Sequence, residues 1–72
     1  MNNPLAAPNA LPFTREQFEQ MRQMLNVTIP AQEDNLNRAQ KAGLDVTQLK
    51  ADLAKHKATL QGIVGAWDDK YK

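Results

Sequence analysis

His56 is the single histidine of a 72-residue chain that has no cysteine and no serine, so the chemistry open to it is narrow. It replaces an apolar residue on a line of Val46, Leu49, Leu53, Leu60, Ile63 and Trp67. Protonation near pH 6 would put a charge into an apolar seam there and make assembly pH-sensitive. The alternative is a neutral imidazole that selects register or partner, bonded to Asp52 one turn earlier. Thr14, Thr28, Thr47 and Thr59 have no neighbouring base to activate a hydroxyl, which argues against hydrolase chemistry. One histidine does not make a zinc site, and the adjacent Asp68 and Asp69 point in different directions on a helix. No metal, cofactor or small-molecule substrate is expected, and the chain is not expected to be an enzyme.

Trp67 and Tyr71 lie one helical turn apart with Lys70 beside them. Both residue types recur in binding hot spots because they combine large area with a polar handle. Equally, they could close a core against the first helix. Lys41, Lys50, Lys55 and Lys57 do not share one narrow face and no aromatic residues interleave with them, so a solvated surface is favoured over a nucleic-acid site. Gly62 and Gly65 resemble no phosphate loop and are taken as close-packing positions that weaken their helix by about 1 kcal/mol each relative to alanine.

Nine basic residues against eight acidic ones leave no strong field to attract nucleic acid or membrane. The first half is mildly acidic and the second mildly basic. No Lys or Arg and no unbroken apolar run occur in the first 14 residues, so neither a secretory signal nor a membrane span is expected. A cytoplasmic or virion-associated location follows.

The elements that must position these residues are helical. Residues 1 to 13, with Pro4, Pro8 and Pro12, are expected to form an extended or disordered arm, able to order on a neighbour through Leu5, Leu11 and Phe13. Thr14 and Gln17 form a capping-box pair flanked by Phe13 and Phe18 at staple positions, which starts a helix over about 14 to 26. Its apolar face is Phe18, Met21, Met24 and Leu25. Val27, Thr28 and Ile29 running into Pro30 end it, and Pro30 with Glu33 and Asp34 starts a second helix over about 30 to 42, whose largest interior apolar residue is Leu36.

Gly43 at a C-cap position and the Asp45–Gln48 pair, with Leu44 and Leu49 as a second staple, favour a break at 43 to 45. Against that, Leu36, Ala39, Ala42, Val46 and Leu49 continue one face, so a single rod is the alternative. The last helix, about 46 to 70, is amphipathic and about 37 Å long. The fold expected is all-α: the arm, two short helices and one long amphipathic helix, as a helical hairpin or small three-helix bundle.

A second helix of that length covers only half of the third, leaving Leu60, Ile63, Trp67 and Tyr71 to the first helix, a second copy or another protein. Small chains bury a low fraction of their surface, and without disulfides association is the remaining source of stability. A protein partner or homo-oligomer is therefore expected, bound through Leu53, His56, Leu60, Ile63, Trp67 and Tyr71, with Phe18, Met21 and Leu25 closing one side. The chain would be a structural, assembly or adaptor subunit. A small regulator that presents its helix face to a protein groove is the alternative, and a weak nucleic-acid-binding helical protein the third.

The run from Ala42 to Leu53, followed by a helix ending in Trp67 and Tyr71, resembles segments of short helical proteins encoded by bacteriophages. That resemblance implies a virion or assembly component. It names no defined family and assigns no functional residue.

Overall fold

The structure, a computed structural model, describes residues 11 to 71. Most of the expected arm, Leu5 included, lies outside them. Helix α1 spans Arg15–Gln23 and opens as its sequence requires. The Thr14 hydroxyl accepts from the Gln17 N–H at 3.0 Å, and the Gln17 side chain accepts from the Thr14 N–H at 2.9 Å. Two of the otherwise unpaired donors at the helix start are thus satisfied reciprocally.

The break expected at 27 to 29 does not occur. A π turn over Met24–Thr28 carries the chain directly into α2, Ile29–Lys41, so both segments form one helical arm. Proline is compatible here for a physical reason. In a regular helix its ring would press on the carbonyl of Asn26, and it has no N–H to offer. The π turn pairs residues five apart, as the Ile29 N–H does with the Met24 carbonyl, and so widens the backbone just ahead of Pro30. Since α2 has no free start, Glu33 and Asp34 act elsewhere: Asp34 pairs with Arg38 and Glu33 reaches across to Lys57.

The second expected break is present, and the chain is a hairpin. Gly43 takes φ +91°, the left-handed conformation in which a glycine avoids a Cβ clash. The Leu44 N–H bonds to the Ala39 carbonyl and the Gly43 N–H to that of Gln40, which closes α2 in a Schellman motif. Asp45 then opens α3, Thr47–Trp67, by accepting from the Thr47 N–H at 3.1 Å. That hydrogen bond, and the Thr47 hydroxyl after it, hold the Asp45 carboxyl below its ordinary pKa. Gln48 does not complete a capping box, because its side-chain amide donates to Asp52 at 2.9 Å. Leu44 and Leu49 do not form a buried staple either; they are 63% and 57% exposed. A short 3₁₀ turn, Asp68–Lys70, ends the second arm.

Two antiparallel helical arms make a long, thin molecule of 52 × 23 × 18 Å. Its radius of gyration is 16.0 Å, against about 11 Å for a compact chain of this length. Five apolar residues are buried among those described: Phe18, Ile29, Val46, Leu60 and Tyr71. They run the length of the hairpin in a single file.

Candidate protein-docking flank

The file of buried residues fixes which line of α3 faces the opposite arm. Val46, Lys50, Leu53, Lys57, Leu60, Val64, Trp67 and Tyr71 recur every three or four residues, and each is buried or half-buried. This is a heptad seam, but it is displaced by one residue from the expected one at every second position. Leu49, His56 and Ile63 stand on the next line, beside the seam. Lys50 and Lys57 fill the seam positions instead, laying their aliphatic stems along it while the ammonium groups reach the opposite arm. Lys57 Nζ lies 3.3 Å from a Glu33 oxygen, and Lys50 Nζ donates to the Gln40 side-chain oxygen at 2.6 Å.

The open end of the hairpin is closed by aromatic rings. Phe18 and Tyr71 stack with centroids 4.3 Å apart and planes 9° from parallel. Phe13 meets Trp67 edge-on at 5.6 Å. The Tyr71 hydroxyl donates to the Phe13 carbonyl oxygen, and the Phe13 N–H donates back to the hydroxyl oxygen at 3.0 Å. On the other side of Phe18 the Arg22 guanidinium sits 5.1 Å from the ring centroid and pairs with Asp68 at 2.7 Å and Glu19 at 3.1 Å. Both staple rings are therefore tied to residues at the far end of the chain.

Of the nine expected docking residues, Phe18, Leu60 and Tyr71 are covered by the protomer itself, at 0%, 5% and 2% exposure. Of the covers weighed for the distal residues, the first arm supplies that of Leu60 and Tyr71, because α1, the π turn and α2 form one arm long enough to run beside all of α3. Leu53, Ile63, Trp67, Met21 and Leu25 are half-buried, and His56 is exposed. With His56 outside the seam, the buried-charge form of the pH switch has no basis in the protomer.

Two grooves of about equal volume, about 350 and 360 Å³, flank the seam, so their linings rather than their sizes distinguish them. One is lined by Glu33, Asn37, Lys50, Ala54, Lys57 and Gln61, with Leu36 and Leu53, which border both grooves, at its floor. Three side-chain links between the helical arms belong to this flank: Lys50–Gln40, Lys57–Glu33 and, one heptad past Gln61, Asp68–Arg22, while the Tyr71–Phe13 hydrogen bonds close the open end. The opposite groove is lined by Leu49, Leu53 and Leu36 with Gln32, Asn35, Asp52 and His56. By helical spacing Ile63 continues it along α3. Of the nine expected residues, Leu53 and His56 line this groove, and Ile63 follows one heptad past His56.

Sequence reasoning did not name Leu36 or Leu49 as groove-lining residues, and it put Leu49 in the seam, beside which the structure places it. Gly62 and Gly65 are not close-packing positions: a Cβ added at either would meet nothing within 4 Å. Among the described residues no cluster of three or more His, Asp or Glu could hold a metal, and no helix is long and apolar enough to cross a membrane. The chain matches no protein-family model, no curated protein and no solved structure. Its all-helical hairpin and the contrast between its two flanks are therefore the ground on which function is argued.

Proposed function

We propose that the chain is a small, non-enzymatic structural, assembly or adaptor subunit that docks the apolar flank of its hairpin on a copy of itself or on a larger protein. The observation that carries this reading is the division of polar links. Three of them cross the hairpin on one flank, whereas Leu49 and Ile63 stand on the other, next to Leu36 and Leu53, which border both grooves. A two-helix hairpin is a single layer, and stable domains pack two. The apolar flank is the side on which a second layer loses least hydrogen bonding and gains most apolar burial. The likeness of residues 42 to 53 to short helical phage proteins supports a virion or its assembly intermediates as the first place to look.

The experiment compares two exposed-side substitutions in the chain expressed in its own source. Leu49→Glu should shift the protein from a large complex to a small species by native mass measurement while far-ultraviolet circular dichroism stays unchanged. Ala54→Glu, on the polar flank, should leave the complex intact. If both variants remain in a complex of wild-type mass, the docking assignment is wrong. The partially exposed Trp67 favours a second reading, a regulator that offers this helix face to one larger protein. That reading requires a fixed one-to-one stoichiometry, where an assembly subunit occurs in many copies.

A further inference from the structure

Along α3 the apolar flank is a palindrome: Leu49, His56 and Ile63 are spaced by seven residues, with the imidazole midway between two aliphatic side chains. An isologous two-fold contact brings residue i of one chain against residue j of the other and j against i. Two antiparallel copies of α3 whose axis passes at His56 would match Leu49 with Ile63 twice and set the two imidazoles against each other. Sliding one copy by a heptad in either direction would place an imidazole against Leu49 or Ile63.

Charge and area agree with a self-contact. No residue of the Leu49, Leu53, His56 and Ile63 stripe carries a formal charge when the imidazole is neutral. Asp52, at the rim, keeps its charge while it accepts from the Gln48 amide at 2.9 Å, but an axis at His56 sets it opposite position 60 of the second copy and not opposite its own counterpart, and Gln32 and Asn35 on α2 do not ionise. Two like faces therefore meet without opposing like charges. The broad face is 23 Å wide, and α3 runs for about 31 Å, so the face beside it projects about 700 Å². A standard stable interface takes about 800 Å² from each partner. The whole broad face of one hairpin, α2 as well as α3, is thus near the size that a dimer needs.

We propose that the occupant of the apolar flank is a second copy of this chain, packed antiparallel through α3 about a two-fold axis at His56, so that two hairpins form a four-helix bundle. This deepens the docking reading and rests on it. The bundle supplies each protomer with the second layer that it lacks, and Leu49, Leu53 and Leu36 become its core.

The test exploits the axis, because a residue on it faces its own copy. His56 is exposed, so substitution there leaves the hairpin's own packing in place. Sedimentation equilibrium of the wild-type chain should give the dimer mass at micromolar concentration. His56→Lys and His56→Glu, each alone, should weaken dimerisation by about tenfold or more, since like charges then meet at the axis. An equimolar mixture of the two should recover dimers that contain one of each. Circular dichroism on the monomeric variants checks that the helices remain. If the single variants dimerise as the wild type does, the axis is elsewhere and the proposal is overturned. A wild-type chain that stays monomeric at 100 times that concentration also overturns it, yet it leaves docking on a larger protein to be decided by Leu49→Glu in the native complex.

Discussion

Tyr71 closes the open end of the hairpin, and removing it tests whether the core is the single file described. Its ring is 2% exposed and stacked on Phe18, and its hydroxyl both donates to and accepts from the Phe13 backbone. Truncating a buried aromatic side chain to alanine costs about 3–5 kcal/mol. A chain below about 70 to 80 residues seldom has more than about 3–5 kcal/mol from one core. Tyr71→Ala should therefore bring the protomer to the edge of unfolding at 25 °C. Tyr71→Phe keeps the stack and loses only the hydroxyl's two hydrogen bonds, at about 1 kcal/mol each, so it should stay folded with a lower midpoint. Urea titration followed by circular dichroism and by the emission of Trp67, the sole tryptophan, reads both effects. Trp67 touches Phe13 edge-on, so its emission should move to longer wavelength as the end opens. A Tyr71→Ala protein with the wild-type midpoint would refute the single-file core. Equal losses for the two variants would refute the assignment of most of the energy to the stacked ring.

Gly43→Ala forces an L residue into φ +91° and should destabilise the hairpin by about 1–2 kcal/mol in thermal or urea melts. Gly62→Ala and Gly65→Ala should have the opposite sign, about 1 kcal/mol of stabilisation each, because the added methyl meets open space and the helix interior favours alanine. A loss of stability at both would mean that an unseen neighbour occupies that side. Asp45 has a folded-state pKa below its ordinary value of 3.8, through the Thr47 N–H and hydroxyl. Its contribution is therefore complete above that value and lost as pH falls through the folded-state pKa. Urea midpoints for the wild type should drop more between pH 6 and about pH 3 than those of Asp45→Ala, and identical profiles would show that the cap does not titrate with folding.

Local capping chemistry was legible in the residues, and longer-range choices were not. Thr14 with Gln17, and Gly43 as the helix stop, act within one turn of themselves, so their neighbours in sequence state the outcome. Pro30 was misread because its usual meaning is a helix start, while the π turn that admits it depends on residues 24 to 28 pairing in an uncommon register. The closure by Phe13 and Tyr71 joins residues 58 apart, and no periodicity within one helix announces it. The seam of α3 was half legible: Val46, Leu53, Leu60 and Trp67 lie in it as expected, and Leu49, His56 and Ile63 stand beside it.

That displacement has one physical origin. A pattern that counts only apolar residues assigns the seam to Leu49, His56 and Ile63, because a lysine scores as solvent-facing. In the fold, Lys50 and Lys57 occupy the seam, since their stems cover it and Gln40 and Glu33 receive their charges. The aliphatic residues that the seam does not use remain on the surface beside it. Exposed ion pairs such as Lys57–Glu33 contribute at most about 1 kcal/mol, so fold stability alone gives little reason to prefer lysine over leucine there. A lysine in the seam with a leucine on the flank is a costly arrangement for a solitary hairpin. For a hairpin that meets a neighbour it has a use: the polar flank stays wet and singly bonded to its own arm, and the apolar flank is left free for the contact. Under the docking proposal, the arrangement of charge across the two flanks favours one docking side over two.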